Sequence, residues 1–157
     1  MGKLISHTAR IYLDSSNIEN SINKFRTPST WPEWNRNAKS LIATKAESLD
    51  EGDHLALHQV IKGSVIESRW EVGEIKEDIN YTEIILLGVG QSRNERPIAS
   101  GLDDLKIIFT FLNEEGGGVE IHASCEISGF LVIFSSQIKN YMEVYCNDLL
   151  EDISNIN

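Results

Sequence analysis

The last quarter of the chain most restricts what it can fold into. Phe134, Ile138, Tyr141, Met142, Tyr145, Leu149 and Ile153 follow a three-and-four spacing, while Lys139, Asn140, Glu143, Asn147 and Asp148 fill the other side. That spacing predicts one amphipathic helix over Leu131–Ile153, set off from what precedes it by Gly129. At about 1.5 Å per residue the helix is roughly 30 Å long, enough to cross a small domain. A helix with a single apolar stripe needs an apolar surface beneath it.

The preceding residues supply strands. Leu4–Leu13 is rich in β-branched and aromatic types and predicts a first strand. Asp14-Ser15-Ser16-Asn17 offers helix N-caps, and Ile18, Ile22 and Phe25 recur at helical spacing, which predicts a short helix over Ser16–Phe25. Lys39–Ser48, His54–Ile61, Val65–Ile75, Tyr81–Val89, Leu105–Leu112 and Val119–Ile127 then read as strands. Turns at Asp50–Asp53, Lys62–Ser64 and Asn113–Gly118 join several of them. Connections this short imply antiparallel neighbours. The glycines Gly116–Gly118 are expected to supply the positive φ of the last turn. Gln91–Asp104, polar and containing Pro97 and Gly101, fits either a long loop or a bulged extension of a hairpin.

Between the first helix and the strands lies Asn23–Asn37, which holds two of the three tryptophans and two of the three prolines in the chain. Prolines fix φ and remove backbone donors, so Pro28 and Pro32 allow at most one helical turn, around Pro32–Asn35. Two indoles held so rigidly serve to plug the end of a core or the mouth of a cavity. The element order is β-α-α-β-β-β-β-β-β-α. Segregated helices and consecutive short-linked strands define an α+β fold with a curved seven-stranded antiparallel sheet around the long C-terminal helix. Residues 1–157 form one domain on this reading.

Charge narrows the function. A formal net charge of −10 and a sequence pI near 4.8, with Lys and Arg scattered, oppose binding to a nucleic-acid backbone. No apolar run approaches the roughly 20 residues of a membrane span, so no stable membrane insertion is expected. The N-terminus has no secretory pattern, and a cytoplasmic location is expected. Met1–Ser6 fits a loose acylation pattern at Gly2, in competition with a strand starting at Leu4. Cys125 and Cys146 are expected as free buried thiols. No metal-ligand spacing, phosphate-cradling loop or nucleophile elbow is present in the sequence, so no metal or cofactor is implied.

This order of elements resembles the helix-grip fold of the START and polyketide cyclase/dehydrase superfamily. The resemblance rests on Asp14-Ser15-Ser16, on Phe25–Trp34 with its Trp31-Pro32-Glu33-Trp34 centre, and on Gly52 and Gly129 at expected turns. It implies a deep cavity between the concave sheet and the last helix, opening near the prolyl-tryptophan turn. Such a cavity would suit a lipid, isoprenoid, polyketide or other largely apolar molecule.

The expected ligand-binding residues are Trp34, His58, Arg69, Trp70, Phe134, Ile138, Tyr141 and Tyr145. Trp34 would line the entrance or seal the core end. His58 shares a face with Ala56 and Val60, so it is a candidate acid–base group if that face points inward. Arg69 would hold a ligand carboxylate, but Arg69 and Trp70 cannot both face the cavity unless a bulge intervenes. Phe134, Ile138, Tyr141 and Tyr145 share a helical face. Three functions follow: an apolar-ligand binder, a cyclase or dehydratase acting on a polyketide-like substrate, or an Hsp90-activator-like interaction module. The chain could act as a monomer or a homodimer.

Overall fold

The computed structural model describes residues 2–61, 63–98, 101–114 and 116–156, with Ile61 described by its backbone alone. Lys62 and Glu115, each in an expected turn, lie outside the described residues. The chain runs β1 (Lys3–Tyr12), α1 (Ser15–Phe25), a 3₁₀ turn (Pro28–Thr30), α2 (Trp31–Trp34), β2 (Ser40–Ala43), β3 (His54–Ile61) and β4 (Ser64–Glu77). It continues through β5 (Tyr81–Arg93), β6 (Arg96–Ile98), β7 (Leu102–Leu112) and β8 (Gly118–Ile127) to a second 3₁₀ turn (Gly129–Phe134) and α3 (Ser135–Ser154).

The strands form one antiparallel sheet in the order β1-β8-β7-β5-β4-β3-β2, with short β6 added beside β5. Seven strands along the path match the sequence expectation; the eighth comes from the Gln91–Asp104 segment. There β5 runs on to Arg93, and Asn94 and Glu95, both at positive φ, form a two-residue loop before β6. Ala99 and Ser100 of this segment lie outside the described residues.

Three further differences from the sequence reading have local causes. The strand expected over Lys39–Ser48 is only Ser40–Ala43, because the chain beyond it pairs with the α1–α2 connection: Ser29 N donates to Ala46 O at 3.0 Å and Leu49 N to Arg26 O at 2.8 Å. The α-helix starts at Ser135 rather than Leu131. The run before it carries adjacent β-branched Val132 and Ile133 and no side-chain cap, and it forms a 3₁₀ turn instead. In the glycine turn only Gly116 uses positive φ among the described glycines. Gly118 is required for another reason: a Cβ there would lie 1.9 Å from the Ile11 carbonyl oxygen on β1.

The sheet is bent by three bulges. Gly73 and Glu74 of β4 stand against Ile85, Val89 is the extra residue of β5 between the Trp70–Gly88 and Arg69–Gly90 pairs, and Asp104–Leu105 of β7 stand against Cys125. Bulges add twist and bend a strand, so the three together curl the sheet around its concave face. That face is filled unevenly. At one end Phe25 meets Trp31 at 5.1 Å, Phe109 at 4.6 Å and Phe111 at 5.6 Å between ring centroids, and Trp31 stacks on Trp34 at 5.4 Å. At the other end the inward positions carry Ser68, Gly88, Gln91, Ala123 and Cys125. Large rings fill the first region; small side chains leave the second unfilled.

Helix α3 lies across the concave face, packed mainly on β1 and β8. Its second half is buried through Cys146, Leu149, Leu150 and Ile153. Asp152 locks that half to Arg36, two residues past Trp34. It accepts from Arg36 N at 3.0 Å, Nε at 3.0 Å and Nη2 at 2.8 Å. Among the described residues no helix is long and apolar enough to cross a membrane.

Candidate ligand cavity

The unfilled half of the concave face is a cavity of about 400 Å³. Five strands and one helix build its wall. Leu57 and Gln59 come from β3, Ile66, Ser68 and Trp70 from β4, and Gln91 from β5. Leu102, Leu105 and Ile107 come from β7, and Ala123 and Cys125 from β8. Helix α3 closes the space with Gln137, Ile138, Tyr141, Met142 and Tyr145, and Asn37 approaches from the connection between α2 and β2.

The wall changes character with depth. A small recess behind the main space is shared by Leu57, Trp70, Ile107 and Tyr145 with Phe25, Trp31 and Phe109, so the aromatic cluster is the floor. Exposure rises toward α3's first turns, where Tyr141 is 68% exposed, and this side is the mouth. Amides gather around it: Gln59 donates to Asn37 Oδ1 at 3.2 Å, with Gln91 and Gln137 nearby on the wall.

Of the eight expected residues, Trp70, Ile138, Tyr141 and Tyr145 line the cavity. The other four do not. Trp34 stacks on Phe25 and Trp31 and seals the packed end of the core, its indole N–H donating to Thr30 Oγ1 at 3.3 Å. His58 points to the convex face, because the strand turns Leu55 and Leu57 inward; its Nε2 lies 2.9 Å from Glu67 Oε2, directly across the β3–β4 pair. Arg69 is on that same outer face, its Nε 3.3 Å from Glu67 Oε1. The Val89 bulge lies on β5, so β4 keeps its alternation and only Trp70 of the two faces the ligand space. Phe134 belongs to the 3₁₀ turn rather than to α3 and packs edge-on against exposed Phe130 at 5.2 Å.

The amides and small residues were not anticipated from sequence. Gln59 and Ser68 were within reach, since each shares strand parity with apolar neighbours, Leu57 and Trp70. Gln91 was not: it faces inward only because Val89 is bulged.

The site is electrically neutral. Among the described wall residues none is Lys, Arg, His, Asp or Glu. Two wall groups are biased further toward their neutral forms: burial pushes the Tyr145 phenol up, with Tyr141 adding to the shift, and burial pushes the Cys125 thiol up. Two polar atoms on the wall are buried without a hydrogen-bond partner among the described residues, Trp70 Nε1 and Asn37 Nδ2.

No family model matches the sequence, and a search of curated proteins finds no match. Solved structures do match. One is the di-domain ARO/CYC StfQ from the steffimycin biosynthetic pathway, with a TM-score of 0.71 at 10% identity over 98% of this chain and 50% of that one. Another is ginseng major latex-like protein 151 from Panax ginseng, with a TM-score of 0.68 at 12% identity over 98% of this chain and 96% of that one. A START superfamily protein from Mycobacterium smegmatis matches with a TM-score of 0.61 at 12% identity, covering 96% and 94%. The fold is therefore the START-like helix-grip fold.

Proposed function

We propose that the protein binds a small, largely apolar molecule in the cavity between the sheet and α3. The observation that carries this reading is the cavity of about 400 Å³ itself, within the size range of small-molecule sites. It is walled by aliphatic and aromatic groups, with a few polar groups at its edge. Trp70, Ile138, Tyr141 and Tyr145 contact the ligand, with Leu57, Leu105 and Ile107 supplying the rest of the apolar surface. The likeness to a START superfamily protein supports the same reading.

A titration with the neutral fluorophore N-phenyl-1-naphthylamine tests it. Wild-type protein takes up the dye with an emission increase that saturates. Ala123→Phe, which projects a ring from β8 into the space, abolishes uptake while the protein still unfolds cooperatively. Undiminished uptake by a folded Ala123→Phe variant would overturn the assignment. Native mass spectrometry of freshly purified protein should in addition show a bound small molecule.

A cyclase-type reaction, suggested by the likeness to StfQ, needs an ionisable group aimed at the ligand. His58 and Arg69 point away from the cavity, which leaves the Tyr141 and Tyr145 phenols as the acid–base groups on its wall. Binding is the reading the geometry favours.

A further inference from the structure

We infer that the ligand is an uncharged molecule carrying a hydrogen-bond-accepting oxygen of the carbonyl type, received by the indole N–H of Trp70 and the carboxamide N–H of Asn37. This rests on the proposed cavity and names the chemistry it selects.

The chain pairs its other two indoles. Trp31 donates to the Phe25 carbonyl at 2.7 Å and Trp34 to Thr30 Oγ1 at 3.3 Å. Trp70 is 3% exposed, lies on the cavity wall, and has no acceptor among the described residues. Asn37 is oriented by Gln59, whose Nε2 donates to its oxygen, so its own amide N–H is the free group, and it too is on the wall.

A buried donor without a partner is unfavourable, and an acceptor brought to it removes that cost. A ligand that supplies the acceptor gains affinity over one that leaves the donor unpaired. Both free groups are donors. They therefore select an oxygen on the ligand and discriminate against a hydrocarbon of the same shape.

The acceptor should not be an anion. The wall of the main cavity carries no cationic side chain, and in the adjoining recess Arg69 is accompanied by Asp103 and Asp104. Arg69, the cation nearest Trp70 in sequence, is turned to the convex face and paired with Glu67. The net charge of −10 adds an unfavourable field for anions. A carboxylate or phosphate placed on this wall would be buried without a counter-charge, which is strongly disfavoured. A neutral carbonyl satisfies an unpaired donor and needs no ion.

Three probes of one shape separate these cases: fluorene, 9-fluorenone and 9-fluorenone-2-carboxylate, each competed against N-phenyl-1-naphthylamine. The wild-type protein should bind fluorenone about tenfold or more tighter than fluorene, and the carboxylate more weakly than fluorenone. Trp70→Phe keeps a ring and deletes the donor. It should lower fluorenone affinity about tenfold more than it lowers fluorene affinity. Asn37→Ala should act in the same direction, and the wild-type series reads the preference even if one variant fails to fold. Equal affinity for fluorene and fluorenone overturns the inference while leaving the cavity reading intact. So does tightest binding of the carboxylate, or an equal loss of fluorene and fluorenone in both variants. Failure of the wild-type protein to take up the fluorophore overturns both readings.

Discussion

Gly88 shows how finely the site depends on single atoms. It faces Trp70 across the β4–β5 pair, and a Cβ there would lie 2.8 Å from the Leu105 Cβ on the neighbouring strand. That atom sits next to the backbone and cannot swing aside. Gly88→Ala should therefore displace β7 at the cavity wall, destabilise the protein by roughly 1–3 kcal/mol in urea unfolding, and weaken dye uptake. Cys146 gives a second prediction. Burial raises its thiol pKa from the ordinary 9.0 to about 11. The unfolded chain then releases this proton at lower pH than the folded one. The contribution of Cys146 is fully present below about pH 9 and is lost as pH rises toward 11. Urea unfolding of Cys146→Ala should start from a lower stability near pH 8 and fall less steeply than wild type between pH 9 and 11. At this scale the sequence was legible wherever strand alternation held. The outward row Glu120, His122, Ser124, Glu126 and the inward row Val119–Ile127 on β8 read correctly. His58 did not, because Ala56 and Val60 made its face look apolar although Leu55 and Leu57 are the larger residues and take the core.

Among the elements, α3 divides into two functional halves. Its first turns roof the cavity, and its last turns are fastened to the core and to Arg36. Asp152 is nearly buried and takes most of the Arg36 hydrogen bonds, whereas Asp148 takes one at 3.2 Å. Thermal melting should rank the variants accordingly: Asp152→Ala lowers the Tm clearly more than Asp148→Ala. A reversed order would mean that the fastening lies elsewhere. The three-and-four spacing revealed the helix and its inward stripe, but not the 3₁₀ turn that precedes it, since Phe134 fits the same spacing. Strand β2 was over-read for a comparable reason. Its apparent continuation binds its backbone to Arg26 and Ser29, far away in sequence.

For the molecule as a whole, the decisive property is a gradient of side-chain size along the concave face, from Phe25, Trp31 and Phe109 to Ala123, Cys125 and Ser68. Both ends of that gradient are written in the sequence, yet their alignment into a filled half and an open half depends on bulges that sequence alternation does not encode. Trp31, 2% exposed at the centre of the filled half, should be the costlier tryptophan to remove. Trp31→Ala is expected to destabilise by roughly 3–5 kcal/mol in urea unfolding and to disorder the cavity floor. Because Trp31 and Trp34 are embedded among phenylalanines while Trp70 borders the ligand space, the chain carries its own optical reporter. An occupant that accepts from the Trp70 indole alters that residue's excited state directly, whereas Trp34 stands off the cavity wall and is spared. A ligand would thus be announced by the protein's own ultraviolet emission, with no label attached.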